Sequence, residues 1–309
     1  MTALADQIAY VALVSSEPAI AANVFERHFG LPRHELSSAD GPVAVFPLGR
    51  SALAVFPPKH PLVEGEARPG VHHIALGVDD VDAAIRRVSD AGTQQEIETG
   101  LGGKRAHRLA QDRTAGVRIR LTERLGLAPP AVGPVERLDH VGVASADLRE
   151  DEAVFCHHLG FTVESRQTDM EMALAVESFT SDKYGVVYHT RTPQPVGGLR
   201  VTFITVGDCE LEFLASFDPQ QEGQVDHGRA GTTRQDQGAI ARFVSTRGRG
   251  LHHFAIKVRD IDALLGSMAA AGLPMIDTKG RPGSRRARIG FPHPRVLGGV
   301  LMHFVERQS

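Results

Sequence analysis

The stretch GLHHFAIKVRDIDALLGSMAAAG, Gly250–Gly272, decides the fold because the chain carries it twice. The phrase GVHHIALGVDDVDAAIRRVSDAG, Gly70–Gly92, aligns with it without a gap. Each copy opens on an alternating apolar run, the signature of a strand. An Asp-x-Asp follows, then a helix with apolar residues at three- and four-residue spacing, closed by Ala-Gly. A second pair surrounds the first. IAYVALVS at Ile8 matches LDHVGVAS at Leu138, and NVFERHFGLP at Asn23 matches AVFCHHLGFT at Ala153. Each of these is a strand and then a helix that ends at a glycine, Gly30 or Gly160.

After each helix the chain returns to strand-like runs: VAVFPLGRSALAVF, VRIRLTER, VTFITVGDCELEFL and GVLMHFV. The repeat is therefore a βαβββ unit used four times, starting near Ile8, Val71, Leu138 and Leu251. The Pro/Gly-rich segment GLAPPAVGPVE, Gly126–Glu136, separates the first two units from the last two. Two α+β domains are expected, over residues 1–125 and 137–309, with residues 126–136 as the linker.

Composition narrows the function. The 309 residues are 42% hydrophobic and 23% charged, with a formal charge of -3. No basic block points to nucleic acid or to a membrane surface. The two cysteines, Cys156 and Cys209, are too few for a disulfide scaffold and suit a reducing, cytoplasmic setting. The first residues lack a cationic start, and no apolar run approaches the roughly 20 residues of a membrane span. Trp is absent, while His occurs 15 times.

Strand periodicity sorts the histidines. Residues i and i+2 share a face. In LHHFAIKV, the bulky face of His252, Phe254, Ile256 and Val258 is expected to pack, leaving His253, Ala255 and Lys257 on the other. In the unit at Leu138, Val141 and Val143 pack, and His140, Gly142 and Ala144 face away. His140 and His253 thus hold equivalent positions, each followed by small residues that leave room above the strand.

Paired βαβββ units resemble the vicinal oxygen chelate superfamily, which includes glyoxalases, extradiol dioxygenases and methylmalonyl-CoA epimerases. The likeness to the epimerases runs over Leu138–Arg307, in LDHVGVASADL, ARFVSTRGRGLHHFAIKV and RPGSRRARIGFPHPRVLGGVLMHFVER. The resemblance implies two vicinal-oxygen-chelate domains, each a cupped mixed sheet. It also implies that His140 and His253 ligate a metal and that each unit adds one more ligand from its last strand. That gives His140, Glu212, His253 and His303 as the metal set, with His303 where the family usually has Glu. One divalent ion per chain is expected, whether Zn, Fe, Mn, Ni or Co. The equivalent positions of the first domain are Tyr10, Ala54, His73 and Arg120, which suggests a metal-free domain with a structural or dimerising role.

The resemblance implies chemistry on a small substrate that chelates through neighbouring oxygens. Proton transfer beside a carbonyl, as in an epimerase or isomerase, is the first expectation. An Fe(II) dioxygenase and a resistance protein that binds without turnover are the alternatives. The family's second catalytic carboxylate is missing, since Gly197 stands at its place, so methylmalonyl-CoA is not the expected substrate. Glu210, on the strand face of Glu212, and Tyr188 and His189, in the extra sequence 170–194, are the expected proton-transfer residues. Tyr184 in that insertion, and Asp226 and His227 in a second one, could also line a pocket. Arg285, Arg286 and Arg288 form a basic loop that could hold a phosphate. His157, His158 and His293 read as local or solvated residues. The expected partners are the substrate and, in a homodimer, a second copy of the chain.

Overall fold

The computed structural model describes residues 2–64, 67–88, 96–128, 133–217, 230–231 and 238–307. Asp226 and His227 lie outside them. Two large mixed sheets account for most of the chain. The first runs from Ile8 to Glu123 in eight strands, and the second from Val135 to Arg307 in nine. The second sheet begins at Val135, inside the segment read as linker.

Both sheets are built the same way. In the first, the strands Ile8–Val14 and Gly70–Val78 run antiparallel at the centre. The strand Ser51–Phe56 lies parallel outside one of them, and Ile119–Glu123 parallel outside the other. In the second sheet, Val135–Ala144 and Gly250–Val258 are the antiparallel centre. Cys209–Phe217 and Met302–Arg307 flank them in parallel. Four central strands per sheet thus come from the first and last strands of two units.

The helices follow from local chemistry. Asp80 accepts from the Ala83 amide and Asp260 from the Ala263 amide, both at 2.9 Å, so each repeat of Asp-x-Asp caps its helix. Gly30 and Gly160 take φ of 67° and 77°, the left-handed turn by which the chain leaves the helix for the next strand.

One apolar core serves both sheets. It joins Ile8, Phe25 and Phe29 to Phe213, Phe254 and Phe304. The Phe29 and Phe304 rings meet edge to face at 5.2 Å. The Ser16 amide donates to the Gly298 carbonyl at 3.0 Å, and the Leu4 amide to the Leu159 carbonyl at 2.8 Å. No helix among the described residues is long and apolar enough to cross a membrane.

The extra sequence 170–194 prolongs two strands, Thr162–Ala173 and Gln194–Val206, and forms a separate two-stranded ribbon, Val176–Ser181 with Gly185–Thr190. Tyr184 and Tyr188 are 74% and 70% exposed there.

Candidate metal centre

The four central strands of the second sheet each place one side chain on the same face: Glu212, His140, His253 and His303, in spatial order. Their register is a lattice. Gly142 sits between Glu212 and His253, and Ala255 sits between His140 and His303. Small residues at the two interleaved positions let four large polar side chains converge.

The convergence is close. One ligand-capable atom from each of His140, His253 and His303 lies within 4.8 Å of the others, and all three residues are buried. Glu212 Oε2 stands 3.3 Å from His140 Nε2 and 3.3 Å from His253 Nε2. His303 Nδ1, by contrast, is buried without a hydrogen-bond partner. An unpaired buried nitrogen is costly, and a cation removes that cost. Three imidazoles and a carboxylate suit a divalent transition metal better than Mg or Ca.

His140 is held from behind by a residue the sequence did not single out. Asp139, fully buried, takes His140 Nδ1 at 2.8 Å. In the neutral imidazole this bond places the proton on Nδ1 and turns the Nε2 lone pair to the site. Arg307 grips the same carboxylate at 2.6 and 3.0 Å. The only sequence signal was the acidic residue preceding the histidine, and strand alternation assigns such a neighbour to the opposite face. The opposite-face assignment fails because the pairing skips Asp139: Leu138 pairs with Ile256 and His140 with Ala255, a β-bulge that breaks the alternation at the extra residue.

Charge in the site is tightly coupled. Burial alone would lower the His140 pKa, but Glu212 and Asp139 outweigh it and raise the value to about 9. Burial would raise the Glu212 pKa, yet the imidazoles of His140 and His253 hold it well below the usual carboxylate range. His253 and His303 are pushed down, first by burial. Without metal, His140 is therefore protonated at pH 7. This protonation stabilises the metal-free fold below the unfolded pKa of about 6.5, and the contribution is lost as pH rises through about 9. A metal must displace that proton. Metal affinity is expected to rise by up to about tenfold per pH unit between pH 7 and 9 and then level off. Titration calorimetry in buffers of different ionisation heat would show about one proton released at pH 7. An affinity flat across that range would contradict the assignment.

Gly142 offers a second check. A Cβ there would lie 2.0 Å from His253 Cε1 and 2.2 Å from Nδ1. Gly142→Ala is therefore expected to push the His253 ring aside and lower metal content without removing a ligand. Metal analysis of the folded variant decides it, and full occupancy would refute the packing argument.

A cavity of about 380 Å³ opens above the four side chains. Its walls are mostly apolar, including Leu199, Phe203, Ile240, Ile289 and Phe291. Phe291 packs against His303 with ring centroids 4.7 Å apart. Arg281, Arg285 and Arg307 also line it.

Of the expected proton-transfer residues, the structure brings none to the cavity wall. Glu210 turns to Arg285 and Arg307, at 3.2 and 3.6 Å. Two guanidiniums fix it as an ion-pair partner. Tyr188 and His189 are exposed on the separate ribbon. Tyr184 is exposed beside them. The basic loop is likewise committed. Arg285 stacks over Phe203 at 3.7 Å and pairs with Glu164 at 2.9 Å, and Arg288 pairs with Asp262 at 2.7 Å. Arg286 stays exposed. His252 does pack locally, against Phe243 with ring centroids 4.8 Å apart, but it also lines the cavity. His157 and His158 are exposed, and His293 Nδ1 accepts from the Arg295 amide at 3.2 Å.

The first domain repeats the lattice with other side chains. Ala12 sits between Ala54 and His73, and Ala75 between Tyr10 and Arg120. Tyr10 Oη lies 3.2 Å from His73 Nε2. The buried Arg120 guanidinium bonds Glu98 and donates to the Leu62 carbonyl at 2.9 Å. A guanidinium thus occupies the face that carries His303 in the second domain.

Comparison with known proteins agrees with this architecture. Models of the glyoxalase/bleomycin resistance protein/dioxygenase superfamily match residues 7–121 and 139–291. The chain belongs to that superfamily. Mouse (Mus musculus) mitochondrial methylmalonyl-CoA epimerase is 23% identical over 168 residues, which cover 54% of this chain and 70% of the epimerase. The uncharacterised protein YqjC of Bacillus subtilis is 22% identical over 172 residues, covering 56% and 93%. A variant of 4-hydroxymandelate synthase from Streptomyces coelicolor superposes over 99% of this chain and 93% of its own, with a TM-score of 0.59 and 17% identity. That likeness is one of fold, and it spans both domains of this superfamily member.

Proposed function

We propose that the chain is a metal-dependent isomerase or epimerase that moves a proton beside a carbonyl of a small, oxygen-chelating substrate. The observation that carries this reading is the convergence of His140, Glu212, His253 and His303 beneath an apolar cavity. A divalent cation held there supplies Lewis acidity toward a carbonyl oxygen. Four protein donors leave two positions on a six-coordinate ion, the number a bidentate substrate needs. The apolar walls exclude water and favour a compact substrate such as a hydroxy-ketone or a cyclitol-like ring. Asp139 orients His140, and Gly142 and Ala255 keep space for the ligand set. Methylmalonyl-CoA is disfavoured by Gly197 and His303, which stand where two carboxylates would be needed.

A second reading, Fe(II) dioxygenase chemistry, is favoured by one feature. Glu212 stands near two of the imidazoles, and as their partner rather than a ligand it would leave a three-histidine set with a further position open. Binding without turnover is the third reading. Incubation of the metal-loaded protein with hydroxy-ketones in deuterated water separates them. Deuterium at one carbon supports proton transfer, oxygen uptake refutes it in favour of the second reading, and binding with neither supports the third.

The metal count tests the domain assignment. One divalent ion per chain is expected, with Arg120 excluding a cation from the first domain. Two ions per chain in the protein, or one retained by a His140→Ala/His253→Ala variant, would overturn it.

A further inference from the structure

The first histidine of each repeated phrase leads to a different place. Gly70–His72 and Gly250–His252 line one cleft between the two domains, of about 470 Å³. Four guanidiniums join them there: Arg68, Arg118, Arg247 and Arg249. Among the described residues, Arg249 alone of the four has a carboxylate partner, Glu150, which it grips through both terminal nitrogens, one at 2.8 Å. The one described carboxylate on the cleft wall is Glu64, and it pairs outward with Arg108 at 2.6 Å. Among the described residues, no carboxylate stands within ion-pair distance of Arg68, Arg118 or Arg247. Arg247 lies over the Phe243 ring at 5.5 Å. The chain as a whole carries a formal charge of -3, so this cleft concentrates the opposite sign.

We infer that this cleft binds a small polyanion, with phosphate or clustered carboxylate groups as the recognised chemistry. Uncompensated like charges in a concave site repel one another and focus the field on an incoming anion. Guanidinium forks match phosphate and carboxylate oxygens two at a time. The wall is also built for close approach. Gly70 and Gly250 take φ of 146° and 145°, a backbone only glycine adopts freely, and each starts a central strand. His252 lines both this cleft and the metal cavity, and its Nδ1 lies 3.0 Å from His253 Nδ1. The anion therefore sits one imidazole away from a proposed metal ligand. The site stands on the arginine arrangement and does not depend on the reaction proposed above.

Calorimetry on the full chain with inorganic phosphate and with tricarballylate, both weak metal chelators, tests this. Saturable binding of at least one is expected, weakened more than about tenfold in Arg118→Ala/Arg247→Ala and unchanged in Arg191→Ala on the distant ribbon. The better of the two ligands identifies the phosphate or the carboxylate class. Arg118→Lys/Arg247→Lys keeps the charge without the forks, and intermediate binding is expected. Absence of saturable binding to the unmodified protein, or equal binding by the alanine pair, would show a merely solvated cleft and overturn the inference.

Discussion

His303→Ala is expected to lose metal by more than the roughly 10- to 100-fold that removal of an outer partner costs, with the fold intact. His303 is fully enclosed, 4.9 and 5.1 Å by ring centroids from His140 and His253. Truncation removes one of four donors and leaves Phe291 facing a void. His303→Glu is expected to keep the metal, because a carboxylate at this register position still reaches the site and adds a negative charge. It is not expected to create epimerisation of methylmalonyl-CoA, since Gly197 still lacks the second carboxylate. Metal analysis with circular dichroism as the folding control checks both. Full metal occupancy in His303→Ala would remove this residue from the ligand set.

Asp139→Asn is expected to weaken metal binding about 10- to 100-fold, the usual cost of losing a carboxylate behind a ligating histidine. The buried Asp139 carboxylate takes His140 Nδ1 and bonds Arg307, with Arg137 and Arg285 at 3.7 and 3.9 Å. An amide keeps the shape and loses the charge. Arg307 then loses its charged hydrogen bonds to this carboxylate but keeps Glu210 at 3.6 Å, which is expected to cost about 1–3 kcal/mol of stability. Denaturant titration reads the second effect and metal competition the first. If stability falls while metal affinity stays, Asp139 is an ion-pair anchor and not a positioning residue for His140.

The pH dependence of Asp139 runs opposite to that of His140. Burial opposes ionisation, but His140 and Arg307 hold its carboxyl far below the ordinary value. Its contribution is thus present at neutral pH and lost only in strong acid.

The gapless repeat of the two HH phrases, the second matched pair at Ile8 and Leu138, and the Pro/Gly-rich break between them were enough to read four βαβββ units in two α+β domains. Alternation along the strands was enough to put His140 and His253 on one face, because side-chain direction has a fixed period of two. The resemblance added Glu212 and His303 from distant strands, and the register Glu212–Gly142–His253 and His140–Ala255–His303 sets these four side by side. Contacts that depend on where long side chains end were not legible. Glu210 shares the strand with Glu212, yet Arg285 from a short 3-10 turn and Arg307 from the last strand claim it. Asp139 belongs by alternation to the far face, yet a β-bulge at that residue breaks the alternation and its carboxylate reaches the His140 ring. Tyr188 and His189 are polar and aromatic enough for a site, but the chain length of their insertion carries them out on a ribbon. The arginine cleft joins residues from both domains, and local patterning holds no information about how two folded sheets meet. Backbone periodicity is written locally, whereas charge pairing and domain packing are settled by distances between segments far apart in the chain, which only the tertiary structure decides.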